Sequence, residues 1–391
     1  MGIKILSVDD EPDLELLMRQ HFRKKTRSGE YEFLFATNGQ QALDILDKDK
    51  EICILLTDIN MPGMDGLELL DKVQTLNRPV LRSLVVSAYG DMENIRTAMN
   101  RGAFDFITKP IDFKDLEITI EKTINQITQL KKSYKEHVDL VALNQELSTA
   151  RDIQQSLIPH KFPAFPDRNE IDIYALMQAA QNVGGDLYDF FFIDENRMGI
   201  IVGDISGKGV PAALFMALSR SIIRMAAMKG NLPDKCMEEA NNHLCDVSQD
   251  SMFITVFYGI LDIRNGSFVY CSAGHNLPFL LTRDGAVGTL QGTGDMVLGG
   301  IKGLNFHNNE IPLNRGDGIF IYTDGLTEAF NDQNEEYSKS RLSKELENKS
   351  KMSPNGLINR IMTDVTSFTG DAEQSDDITM LVFRYLGKKK S

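Results

Sequence analysis

Residues 52–66 read ICILLTDINMPGMDG. Apolar residues from Ile52 to Leu56 run into Asp58, a Pro62-Gly63 turn follows, and LELLDKV (67–73) then takes up helical spacing. A short apolar run bounded by turn residues reads as a strand buried on both faces. The same unit recurs on either side. IKILSV (3–8), YEFLFA (31–36), SLVVSA (83–88) and FDFITK (104–109) alternate with the helix-spaced LELLMRQHF (14–22), QALDILDK (41–48) and NIRTAMN (94–100). Buried strands alternating with amphipathic helices predict an α/β domain over residues 1–118, a doubly wound five-stranded parallel sheet.

In such a sheet the carboxyl ends of the strands lie side by side and bind ligands. Asp9 and Asp10 fall at the end of the first strand, Asp58 at that of the third, Ser87 at the fourth and Lys109 at the fifth, followed by Pro110. Clustered carboxylates repel one another unless a hard cation such as Mg2+ holds them. Lys109 adds a counter-charge on the same rim, and Ser87 a hydroxyl able to reach a phosphoryl oxygen. Taken singly, each is equally a solvated strand end.

Together, SVDDEP (7–12), LLTDINMPGMDG (55–66), VVSAYG (85–90) and ITKP (107–110) resemble the motifs of the response-regulator receiver domain, a flavodoxin-like fold. The resemblance implies that Asp58 is the phosphoacceptor, served by a cognate histidine kinase or other phosphodonor. It implies that Asp10, Asp58 and the Asn60 carbonyl bind Mg2+, with Asp9 assisting through water. Lys109 would pair with the phosphate, and Ser87 and Phe106 would form the switch pair.

Residues 119–160 lack the strand pattern. Ile120, Ile124, Ile127, Tyr134, Val138 and Val141 form a thin stripe, and Leu140, Leu143, Leu147, Ala150 and Leu157 a second one out of phase. A narrow stripe at this period predicts a coiled-coil linker helix and a homodimer; the other reading is a long helix packed on its own domains. IPHKFPAFP (158–166) ends the helix with three prolines.

Residues 161–391 change character. IDIYALM (171–177), DLYDFFFI (186–193), RMGIIVGDI (197–205), MFITVFYGILDI (252–263), SFVYCSAG (267–274), PFLLT (278–282), GIFIYTDG (318–325) and ITMLVFRYL (378–386) read as strands, several joined by the turns DEN, RNG and RDG. Two or three helices lie between them. This order predicts antiparallel sheets stacked face to face and flanked by helices. Asp186, Asp204, Asp324 and the pair Asp376-Asp377 each follow or open an apolar run, and Gly184-Gly185, Gly203, Gly207 and Gly325 let the backbone bend close to a ligand. No nucleophile accompanies them. Converging carboxylates without one are what a two-metal hydrolase needs, because two Mg2+ or Mn2+ ions acidify a water and hold phosphoryl oxygens. Asp189, Asp194 and Asp317 read as ordinary turn aspartates, and His275 as a structural loop histidine.

RDIQQSLIP (151–159), GGDLYDFF (184–191), GDISGKGVPAALFM (203–216), SAGHNLP (272–278), YTDGLTEA (322–329) and SDDIT (375–379) resemble the metal-dependent PPM protein phosphatases, in the bacterial SpoIIE/RsbU branch. That resemblance implies an αββα sandwich. Asp204 would bridge two metals, with Asp186, Asp324, Asp376 and the Ile205 carbonyl completing the shell and Asp377 and Gly185 supporting it. No arginine stands where eukaryotic members bind phosphate. By the same analogy, the receiver would control dephosphorylation of a phosphorylated STAS-domain anti-sigma-factor antagonist. The competing classes are a non-catalytic phosphoprotein-binding module and a dimerisation adaptor.

The chain carries 42 Lys and Arg against 56 Asp and Glu, a net charge of -14. That balance argues against nucleic-acid binding and makes a phosphate substrate depend on cations. Cys53, Cys236, Cys245 and Cys271 are scattered, which predicts neither a disulfide nor a zinc site. No apolar run is expected to approach the roughly 18 residues of a membrane span. The start, IKILSVDD, reads as a strand rather than a signal peptide, and Leu6 breaks the myristoylation pattern. A cytoplasmic protein is expected, with Lys388–Lys390 a solvated tail.

Overall fold

The structure, a computed structural model, describes residues 2–248, 252–349 and 351–387; the Lys388–Lys390 tail lies outside them. The chain divides into two compact units, Met1–Leu143 and Asn144–Ser391.

In the first unit, β1 (Ile3–Val8), β2 (Tyr31–Ala36), β3 (Ile52–Asp58), β4 (Arg82–Ala88) and β5 (Asp105–Lys109) pair in parallel in the order β2-β1-β3-β4-β5. All seven residues of β3 are buried. Alternate side chains feed two cores: Ile54 and Leu56 pack with Ile5 and Val86 on one face, and Leu55 with Leu6 and Val8 on the other. The connecting helices are α1 (Pro12–His21), α2 (Arg23–Arg27), α3 (Gly39–Lys48), α4 (Gly66–Thr75) and α5 (Met92–Asn100). Asn38, Asp65 and Asp91 cap α3, α4 and α5 by accepting from the N–H of Gln41, Glu68 and Asn94. Such caps contribute about 1 kcal/mol each.

Helix α6 runs unbroken from Phe113 to Leu157. Its start belongs to the first unit's core: Leu116, Ile120 and Ile127 are buried there, with Ile124 packed beside them. The first stripe therefore begins as receiver packing, beyond residue 118, and not as a seam. Tyr134, Val138, Leu140, Val141 and Leu143, by contrast, are exposed in the single chain.

The second unit contains β6 (Ile171–Gln178), β7 (Leu187–Phe192), β8 (Arg197–Ile205), β9 (Ile254–Asp262), β10 (Ser267–Ala273), β11 (Phe279–Leu281), β12 (Val287–Thr289), β13 (Asn309–Pro312), β14 (Gly318–Tyr322) and β15 (Ile378–Tyr385). They form two antiparallel sheets, ordered β13-β10-β9-β8-β7 and β12-β11-β14-β15-β6. The turns DEN, RNG and RDG join β7 to β8, β9 to β10 and β11 to β12. The helices are α7 (Gly209–Ala227), α8 (Pro233–Val247), α9 (Asp324–Thr327), α10 (Lys339–Leu346) and α11 (Pro354–Thr369). Period-two alternation builds the layers. Ile200, Val202, Ile319 and Ile321 meet between the sheets. Ile201 and Leu187 face α7 and α8, and Phe320 and Tyr322 face α10 and α11. The result is the αββα sandwich, with all four cysteines unpaired.

Two expectations need correction here. Helix α7, at 19 residues, is as long and apolar as a membrane span. Its inner face, including Ala212, Phe215, Met216 and Ile223, packs on the first sheet, so sandwich burial explains its composition. Asp189 is no turn aspartate: it sits within β7, fully buried, held by Arg220 at 2.8 Å and Arg224 at 2.8 Å. Burial drives its carboxyl above the usual range while the arginines oppose that rise. Asp194 and Asp317 do cap turns, accepting backbone N–H groups of Asn196, Arg197, Arg283 and Asn314. Replacing Asp189 strands the largely buried Arg220 without a counter-charge. Asp189→Ala is expected to lower unfolding free energy in urea by about 3 kcal/mol; an unchanged midpoint would contradict the pairing.

Candidate functional site

In the first unit the parallel ladder sets Asp9, just after β1, beside Asp58 at the end of β3. Carboxylate oxygens of Asp9, Asp10 and Asp58 lie within 4.8 Å of one another. From the end of β5, Lys109 reaches Asp58 at 2.7 Å and both Asp9 and Glu11 at 3.2 Å. Burial works against the Lys109 charge, but Asp58 and Asp9 outweigh it and hold the ammonium protonated. Burial also raises the Asp9 carboxyl, against the N–H of Glu11 and the charge of Lys109. The Asn60 N–H approaches Asp58 Oδ1 at 3.4 Å. Ser87 is fully buried with its Oγ lacking a hydrogen-bond partner, whereas the Phe106 ring on the neighbouring strand is exposed. Three acids around one lysine leave a net negative pocket of oxygen donors, which fits a hard divalent cation.

In the second unit four acid-bearing segments from both sheets converge. Asp204, near the end of β8, lies close enough to Asp186, before β7, and to Asp324, which opens α9 after β14, for their negative charges to raise one another's pKa. Thr323 donates its hydroxyl to Asp186 Oδ2 at 2.7 Å. Asp376, before β15, adds its charge to those of Asp204 and Asp324. Burial and then the neighbouring acids push the Asp204 pKa up to about 7. The same causes raise Asp186, through Asp204, and Asp324, through Asp376. Gly185 lies against the Ile205 carbonyl, where a Cβ would come within 3.2 Å. Gly325 packs so closely on the Asp377 carbonyl and the Asp376 Cβ that any side chain would collide. The donor set is carboxylate and carbonyl oxygen throughout, a chemistry that fits hard divalent cations.

Asp377 has a different task from its neighbour. Its oxygens accept the N–H of Ala180 at 2.8 Å, of Gly185 at 2.6 Å and of Asp186 at 3.4 Å, which clamps the glycine turn. Asp376 remains half-buried and faces Lys208 at 3.1 Å. Sequence reasoning passed over Lys208, although it is the one cation in GDISGKGVP. It singled out RDIQQSLIP at the end of α6 but gave its polar side chains no contacts. There the buried Gln154 grips both backbone groups of Gly184, at 2.6 and 3.1 Å, and Arg151 donates to the Asn182 carbonyl at 2.7 Å and to its side chain at 2.9 Å. The polar face of RDIQQSLIP was the available signal.

Comparison with known proteins agrees with the two folds. Residues 5–121 match the response regulator receiver domain family, and residues 194–386 match the Stage II sporulation protein E (SpoIIE) family, a span that begins after Asp186. Protein IcfG of Synechocystis is 29% identical over 264 residues, 60% of this chain, which spans 41% of that relative's length. Phosphoserine phosphatase RsbU of Bacillus subtilis is 28% identical over 277 residues, covering 70% of this chain and 79% of RsbU. In fold, the second unit is similar to the SiaA-PP2C domain of Pseudomonas aeruginosa, with a TM-score of 0.57 at 22% identity over 63% of this chain and 98% of that domain. A parallel sheet with its acid triad and lysine, followed by an acid-ended αββα sandwich, thus places the chain among the response-regulator receivers in its first unit and in the SpoIIE family of PP2C-fold phosphatases in its second.

Proposed function

We propose that phosphorylation of Asp58 controls a metal-dependent protein phosphatase in this chain. It acts in the cytoplasm on the phosphoserine or phosphothreonine of a STAS-domain anti-sigma-factor antagonist. The convergence of Asp186, Asp204 and Asp324 from both sheets carries this reading, and the similarity to phosphoserine phosphatase RsbU supports it. Asp186, Asp204, Asp324, Asp376 and the Ile205 carbonyl would hold two Mn2+ or Mg2+ ions, which supply an acidified water and neutralise phosphoryl charge. Asp377 keeps the Gly184-Gly185 turn closed so that Asp186 stays aimed inward. Lys208, beside Asp376, offers a cation to a phosphoryl oxygen where an arginine is missing.

In the receiver, Asp9, Asp10, Asp58 and Asn60 would hold Mg2+, and Lys109 would pair with the new phosphoryl group. The buried, unpartnered Ser87 hydroxyl and the outward Phe106 ring are the groups free to exchange positions. Helix α6 ends on Asn182 and Gly184 through Arg151 and Gln154, so two arrangements of this helix would differ in how they hold Asp186. The exposed stripe from Tyr134 to Leu143 supports a homodimer through the same helix.

Four measurements test this reading. Phosphate release from a phosphorylated STAS protein should change when beryllofluoride loads the receiver, and Asp58→Ala should abolish that change; an identical response in the variant would remove the regulatory half. Asp204→Asn should cut Mn2+-dependent release by roughly 100-fold or more. The same variant tests the charge cluster. An acid whose folded pKa near 7 exceeds its unfolded 3.8 contributes stability at low pH that is lost as pH rises between those values. Metal-free Asp204→Asn should therefore be the more stable protein at pH 8, by on the order of 1–3 kcal/mol, and Mn2+ should no longer raise its melting temperature. A variant less stable than the parent at pH 8 would refute the crowding. Finally, Val138→Glu should lower the mass seen by light scattering from dimer to monomer.

A further inference from the structure

The segment that leaves α6 passes the C-terminal half of α7. A recess of about 360 Å³ opens where the two meet, at the β7 edge of the first sheet. Its lining divides by chemistry. Leu157, Ile158, Phe165 and Phe190 form an apolar side, and Lys161, Arg220 and Arg224 a cationic one. No carboxylate among the described residues lines it, in a chain whose net charge is -14.

The fold fixes the cationic side. Arg220 and Arg224 stand one turn apart on α7 and so share a face. Each reaches Asp189 on β7 at 2.8 Å, and the Arg224 guanidinium also lies over the Phe191 ring, 4.5 Å from its centroid. One fully buried carboxylate therefore serves two guanidinium groups. Arg220 Nε is buried and finds no hydrogen-bond partner among the described residues. Burial pulls the Arg220 pKa down; Asp189 opposes that fall, and the charge of Arg224 adds to it. Lys161, exposed on the segment after α6, brings a third cation to the same recess. Arg220, Arg224 and Lys161 set against Asp189 leave a surplus of two positive charges.

We propose that this recess binds a phosphate monoester, its phosphoryl group against Arg220, Arg224 and Lys161 and its organic part over Phe165 and Phe190. A guanidinium edge presents paired N–H donors that match phosphoryl oxygens. A phosphoryl group brings close to two negative charges, which is the surplus the recess carries. The apolar side takes an organic part that inorganic phosphate lacks. This is not the scissile position: Arg220 and Arg224 stand roughly 16–22 Å along α7 from Gly209, the end that follows Asp204. The recess contains none of the candidate metal ligands, so its occupancy does not depend on the phosphatase reading. A ligand held there joins the segment after α6 to α7 and fastens the exit of the linker helix.

The test is calorimetric titration of the full chain, stripped of metal so that both acid clusters repel phosphate and no ester is turned over. Phenyl phosphate, inorganic phosphate and benzoate are the probes. Phenyl phosphate is expected to bind once per chain, and inorganic phosphate about fivefold more weakly because it leaves the two phenylalanines uncovered. Lys161→Ala and Arg224→Gln are each expected to weaken phenyl phosphate by roughly tenfold, with the circular dichroism of the parent. No saturable uptake of phenyl phosphate by about 10 mM overturns the proposal. Equal affinity for inorganic phosphate overturns the monoester, and equal affinity for benzoate overturns the phosphoryl group. Arg224 also holds Asp189, so Arg224→Gln can fail to fold; Lys161→Ala then decides, and parental affinity in that variant overturns the site.

Discussion

Like charges held together at the ends of buried strands are the constraint on which both halves of this chain depend. Carboxylates in water would drift apart; here core packing decides their separation. In the first unit β3 is buried along its whole length and cannot shift without opening two cores, so Asp58 stays beside Asp9. In the second, Asp204 and Asp324 end strands whose alternate residues fill three different layers. Repulsion is thereby built into the fold, and it raises the pKa of the crowded acids.

The two sites manage that repulsion differently. The receiver keeps a cation of its own, Lys109, bonded to Asp58 and Asp9, which offsets part of that repulsion. The phosphatase cluster has Lys208 only at its rim, beside Asp376. Among its inner acids, Asp186 accepts the Thr323 hydroxyl, while Asp377, itself an acid, accepts the backbone N–H groups of the glycine turn. Raised pKa values at Asp186, Asp204 and Asp324 follow from this design. A regulator that shifts the glycine turn therefore acts on a strained arrangement, where a small displacement matters.

Much of this was legible in the residues. Asp9, Asp58 and Lys109 sit at strand ends in the sequence, and parallel pairing brings such ends together by necessity. Asp186, Asp204 and Asp324 were marked by apolar runs and adjacent glycines, because a buried strand and a close backbone approach leave that imprint. Asp189 was misjudged since its partners, Arg220 and Arg224, lie some thirty residues away on α7 and pairing across elements leaves no local trace. Ile120 and Ile127 looked like a coiled-coil seam because a heptad stripe and a core-facing stripe share the same spacing.

By itself, the sequence determined the order of strands and helices, the two layer architectures and which acids stand at strand ends. Those properties follow from periodicity and from turn chemistry, which are local. How the two sheets face each other settled which groups brace the site: Gln154 on Gly184, Asp377 on the Gly185 turn and Thr323 on Asp186. Hydrogen bonds between residues up to about 190 positions apart depend on how two sheets face each other, and no spacing along the chain encodes that distance.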